Sequence, residues 1–257
     1  MLVAGRVAGL VSLLTIFITM MLGIRRAHTS LPTIRRIAGL EAIEEAVGRA
    51  TEMGKPIFCT PGWSDITTST AAPTFAALDI IYYAARLAAR YDTEMIVAIA
   101  YPNVYPLTEQ VVRQAYVMEG KADRYNPGTV VFTSPEQYAY TAACLGIIQR
   151  EKVAATILVG HFASEAINFA EASAAVNAIS ISGTESTYQL PFFTAACDYT
   201  MIGEELMAAG AYISEDPMRL GAIRGQDYAK LLAFLWILTG AICSTAGFNW
   251  FEAILNF

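Results

Sequence analysis

Few residues in this chain have both the type and the spacing for chemistry. His161 is followed one helical turn later by Glu165, and a carboxylate at i, i+4 can orient an imidazole for acid–base work. The stretch Thr60–Thr70 carries six hydroxyls in eleven residues just before a long apolar helix, whose first N–H groups lack intrahelical partners. Such a loop suits a phosphate or carboxylate. It has neither the G-x-x-x-x-G-K-[ST] spacing with its lysine nor G-x-G-x-x-G. Gly183 and Thr184 follow another apolar run and belong to the same end of a parallel sheet, if one forms. The ligand-binding set expected on these grounds is Thr60, Gly62, Ser64, Thr68, Ser69, Thr70, His161, Gly183 and Thr184. Nucleophiles near strand ends are Cys59, Ser64 and Ser182, but there is no G-x-S-x-G elbow, and no catalytic residue is assigned. Glu204 and Glu205 are adjacent and point about 100° apart on a helix, so they do not converge. Glu215-Asp216-Pro217 suits a negatively charged first turn. The four cysteines have no paired spacing, so neither a metal nor a redox motif is expected, and no cofactor.

These residues must be positioned by a strand–helix alternation. Leu40, Ile43, Val47 and Ala50 share one face of a helix over Ala38–Met53, which Gly54 stops. A strand at 55–59 leads through the hydroxyl loop into a helix over 71–91. Strand 95–100, helix 107–119 and strand 129–132 come next. Ser134-Pro135-Glu136-Gln137 reads as a helix start, running to Arg150. Strand 155–159, helix 164–177 and strand 178–182 complete the repeat, and from Pro191 the pattern is helical. Strands without polar alternation are covered on both faces. The fold class expected is α/β: a doubly wound, mostly parallel, Rossmann-like five-stranded sheet flanked by helices, with one transmembrane helix at each end.

The terminal helices follow from two uncharged runs of 18 residues, 7–24 and 231–248, each about 27 Å long as a helix. Lys230 and Trp250 flank the second as interfacial anchors. Arg25, Arg26, Arg35 and Arg36 follow the first run, and Arg219, Arg224 and Lys230 precede the second. The positive-inside bias therefore puts the central domain in the cytoplasm and both termini across the membrane. The organisation expected is a first span at 1–24, a juxtamembrane segment with an amphipathic helix at 25–54, the α/β domain at 55–216, a connector at 217–230, and a second span with a short tail at 231–257. Seventeen basic against 23 acidic side chains give a net charge of −6, which argues against nucleic acid as a partner.

The stretches GKPIFCTPG, RLAARYD, FTSPEQYAY, REKVAATILVGHFASEAINFAEA and QLPFFTAACDYTMIGEELMAAGAYIS resemble an uncharacterised family of prokaryotic membrane-anchored proteins, catalogued as a domain of unknown function. The resemblance covers about 55–216. It implies a single membrane-tethered domain and supplies no activity, cofactor or catalytic residue.

Residues 25–230 hold 38 charged side chains in 206 positions, sparse for a soluble monomer. Their helices are rich in alanine, tyrosine and phenylalanine, and Gly5-x-x-x-Gly9 and Gly240-x-x-x-Ser244 have the spacing for close helix packing in lipid. The expected partners are therefore the bilayer and further copies of the chain, in a homo-oligomeric assembly or scaffold. A membrane-tethered module for a small anionic ligand such as a nucleotide is the alternative, and an unidentified hydrolase-like enzyme the third.

Overall fold

The computed structural model describes residues 7–28, 35–214 and 216–245. They fall into two compact units, one built from the two ends of the chain and one from Arg36–Ile213.

In the central unit, α2 (Ala38–Met53) leads to β1 (Ile57–Gly62), α3 (Ala71–Tyr91), β2 (Met95–Ile99), α4 (Tyr105–Met118), β3 (Val130–Phe132), α5 (Gln137–Glu151), β4 (Ala155–His161), α6 (Ala166–Ala175) and β5 (Ile179–Thr184). A short α7 (Leu190–Ala196), β6 (Tyr199–Ile202) and α8 (Glu204–Ser214) close it. The six strands form one sheet in the order β3-β2-β1-β4-β5-β6, and every neighbouring pair is parallel. Alternate strand residues face two apolar layers. Ile57, Cys59, Val97, Ile157 and Ile181 pack with α2, α3, α4 and α8; Phe58, Ala98 and Leu158 pack with α5, α6 and α7. Both faces being covered explains why β1 is buried at every position and shows no polar alternation.

The sheet has six strands where five are expected, because the stretch after Pro191 is not continuously helical. The Asp198 carboxylate accepts the backbone N–H and the hydroxyl of Ser180, and the Asp198 N–H donates to Ser180 Oγ, at 2.8–3.0 Å. That clamp lays Tyr199-Thr200-Met201-Ile202, a β-favouring run, along β5. α5 starts at Gln137, two residues later than the Ser134 cap implies. Ser134 Oγ accepts the Glu136 N–H, which holds Glu136 extended as the N-cap residue. α2 belongs to the sheet unit and buries Leu40, Ile43, Ala46, Val47 and Ala50 completely or nearly so.

The terminal unit is an antiparallel pair, α1 (Val7–Ala27) and α9 (Pro217–Thr245). Both are long and apolar enough to cross a membrane, with mean hydropathy 1.6 and 1.5. α9 is continuous through the expected connector and into the second run. Contact is made at Gly23, Gly221 and Gly225: a Cβ on Gly23 would lie 2.3 Å from Gly221 O, and one on Gly225 would lie 2.4 Å from Met20 Cα. Gly9 of the expected Gly5–Gly9 motif takes no part in this contact. Gly5 lies outside the described residues, and a Cβ on Gly9 meets nothing within 4 Å. Glu215 and Trp250 also lie outside the described residues.

Candidate functional site

The strand order reverses between β1 and β4, so the loops after these strands diverge at one point of the carboxyl edge. Two glycines shape that point. Gly62 (φ +80°) and Gly160 (φ +118°) sit where β1 and β4 come closest, and a Cβ on either would lie 2.1 Å from a carbonyl oxygen of the other strand. The register between the strands shifts between Thr60 and Gly62.

The expected residues all reach this edge, but most of their hydroxyls are committed to the protein. Thr60 is fully buried, donates to Ala98 O (2.9 Å), shares a 2.6 Å hydrogen bond with Tyr140 Oη and accepts the Gly62 N–H. Burial pushes the Tyr140 phenol well above its ordinary range. Ser64 is buried and donates to Pro61 O at 2.9 Å. Thr70 is the N-cap of α3, yet its hydroxyl does not cap the helix. It donates to Asp65 O and accepts the Asp65 N–H, while Thr68 pairs with it at 2.8 Å. Ser69 is exposed. Asp65 accepts from Thr67 and from the Asn103 amide, and although partial burial works against it, these bonds hold its carboxyl below the usual range. The hydroxyl loop is thus closed on itself.

The helix end behind it is a poor anion cradle. The Ala71 N–H donates to Thr68 O, and Pro73, third in the helix, has no N–H. Gly183 lies against Met201 and Leu206 in the core, and Thr184 is fully buried with its Oγ1 accepting the Ser186 N–H.

His161 has a different partner from the one its spacing suggests. Glu165 turns inward, 1% exposed, and accepts from Gln137 Nε2 and from the Ala163 and Ser164 N–H groups. Glu185, at the end of the neighbouring strand β5, bonds His161 Nδ1 at 2.6 Å. Only the parallel pairing of β4 with β5 brings them together, so no local spacing signals the pair. The Glu185 hydrogen bond raises the imidazole pKa against the opposing effect of burial, and the Glu165 charge adds to the rise. The nucleophiles do not meet it. Cys59 is fully buried, its thiol pushed far up by desolvation, and Ser182 is buried against Tyr199 O and Thr200.

A pH dependence follows. A pKa raised on folding means that the ion pair stabilises the fold fully below the ordinary histidine value of about 6.5. That contribution is lost as pH climbs through the raised value. Thermal melts of the wild type should therefore fall above about pH 6.5, and those of E185Q should fall less. An NMR titration of the His161 ring should show its pKa dropping in E185Q; an unchanged pKa would refute the pairing.

The edge also has a definite charge. The loops after β1 to β5 contain Asp65, Glu136, Glu165 and Glu185 and no Lys or Arg. It is also aromatic. Of six exposed aromatic side chains among the described residues of this unit, five (Phe75, Phe132, Tyr138, Tyr188, Phe192) lie at this edge, and Tyr91 alone at the other. A cleft of about 220 Å³ opens at the opposite, amino edge, lined by Asp92, Glu94, Tyr116, Arg124, Asn126 and Thr129.

Fold and site together define an α/β domain with an acidic, aromatic carboxyl edge, in a chain carrying two apolar helices of membrane-spanning length. The chain belongs to the family described as a domain of unknown function (DUF6754), whose model matches residues 1–255. No curated protein and no solved structure matches it.

Proposed function

We propose that this is a two-span membrane protein whose α/β domain self-associates into a homo-oligomeric scaffold. The observation that carries the reading is the gathering of five exposed aromatic side chains at one sheet edge, Tyr138 and Tyr188 being 80% and 84% exposed. Aromatic residues are enriched at protein–protein interfaces. The terminal helices support it. Leu231, Phe234, Trp236, Ile237 and Ile242 are all exposed on α9, more apolar surface than α1 covers, and suited to lipid or neighbouring copies.

The arginines that flank both apolar helices favour a cytoplasmic α/β domain with both termini across the membrane. Mass measurement in mild detergent tests the assembly: a multiple of 27.8 kDa is expected, shifting downward in a Tyr138→Glu, Tyr188→Glu double variant, and a monomer at every concentration overturns it. Protease added outside intact cells is expected to spare residues 36–213; cleavage there reverses the topology.

A second reading, ligand binding at the carboxyl edge, is favoured by the strand order. Rossmann-like sheets share it and take their ligands where that order reverses. The acidic loops and the closed hydroxyl loop turn this reading away from nucleotides and other anions.

A further inference from the structure

We propose that the turn between β5 and α7 together with the first residues of α7, residues 185–192, binds the ammonium or guanidinium group of a small molecule. This rests on the ligand-binding reading above and names its ligand class.

The argument starts from unmet acceptors. One oxygen of Glu185 is taken by His161, while the other, Oε2, is buried without a hydrogen-bond partner. Four residues on, Gln189 is only 7% exposed, and its Oε1 is also buried without a partner. Both residues are held by one turn, closed by the Gln189 and Leu190 N–H groups on Ser186 O at 3.0 and 2.9 Å. A buried oxygen that accepts nothing loses its hydration with no return, so sites of this kind are normally completed by a donor. Both unmet atoms are acceptors. Their complement is a group that only donates, as ammonium and guanidinium do.

Charge and ring chemistry point the same way. Residues 36–213 contain 10 basic and 19 acidic side chains, a balance of −9, and the loops at this edge have neither Lys nor Arg to supply the donor from within. His161 bonds one oxygen of the Glu185 carboxylate, and the other, Oε2, keeps its acceptor lone pairs without a donor. Tyr188 and Phe192 flank Gln189 in the chain with rings 84% and 44% exposed, available to stack on a cation. An anion would meet a carboxylate oxygen and an amide oxygen, neither of which can donate to it.

The test uses the full chain in detergent micelles, with backbone amide NMR shifts of residues 185–190 and 192 followed during titration. Methylguanidinium chloride is one probe and methyl phosphate the other, at constant ionic strength. Methylguanidinium should shift these amides saturably, with the apparent Kd weakened about tenfold in E185Q and in Q189L and less in Y188L. Equal affinity in both E185Q and Q189L overturns the assignment, because the cation would then be held elsewhere. Saturable shifts from methyl phosphate alone overturn the cation class but leave ligand binding at this edge standing. No response to either probe overturns both.

Discussion

Replacing Gly160 by alanine is expected to lower the melting temperature of the sheet unit by about 6–12 °C. Gly160 adopts φ +118°, a conformation closed to L-residues other than glycine, and a Cβ there would lie 2.1 Å from Pro61 O and 3.3 Å from Ala77 Cβ. Neither neighbour is the free end of a flexible side chain. Pro61 belongs to central strand β1, and Ala77 is a fully buried residue of α3. Backbone strain and overpacking together cost about 3 kcal/mol or more. At roughly 2–4 °C per kcal/mol for a unit of this size, the shift is measurable by circular dichroism in detergent. Gly48→Ala is the control. That glycine lies inside α2 with nothing within 4 Å of an added Cβ, so alanine there should raise the melting point slightly. Wild-type melting of Gly160→Ala would show that β1 and β4 do not pack as described.

Those two strands also show why some of this molecule was legible in its sequence and some was not. The apolar runs of β1, β2 and β4 and the periodicity of α2 and α3 are local signals, and α2 and α3 run over the residues their patterns indicate. β6 offers only a four-residue β-favouring run inside an otherwise helical stretch. It is a four-residue edge strand whose pairing depends on a side chain clamp between Asp198 and Ser180, 18 positions apart. The site divides in the same way. That Thr60–Thr70, His161 and Gly183 lie at one sheet edge follows from the alternation of strands and helices, because loops after parallel strands share an edge. What the side chains do there does not follow. Thr60 reaches Tyr140, 80 residues away, and His161 finds Glu185 across a strand pair rather than Glu165 along a helix. Hydroxyl density in the loop is an ambiguous cue, since the same groups that can bind an anion also satisfy the backbone of a tight loop. The acidic character of the edge was readable, but only once the strand ends were known.

The terminal helices carry the other large effect. Gly225→Leu is expected to separate α1 from α9, read as a longer and broader distance distribution between spin labels at Leu13→Cys and Leu232→Cys. Cys197 and Cys243 are replaced by serine in that background. The label sites are exposed and lie at matching heights, because the antiparallel pair sets Met20 opposite Gly225 and thus residue 13 near residue 232. At the crossing, a Cβ on Gly225 would lie 2.4 Å from Met20 Cα and 2.8 Å from Thr19 O, and one on Gly221 would lie 2.6 Å from Ile24 Cα. These are backbone atoms, so a leucine finds no rotamer that relieves the overlap and one helix must move. On the two-span reading proposed above, hydrocarbon would surround the helices whether paired or apart, so their association would depend on close packing. Loss of the glycine contact therefore removes the closest backbone packing between them. Gly9→Leu is the matched control, placed in the same helix as Gly23 but with no atom within 4 Å of its Cβ. It should leave the distances between the labels unchanged within a copy. If Gly225→Leu leaves them unchanged as well, the two helices do not meet through these glycines.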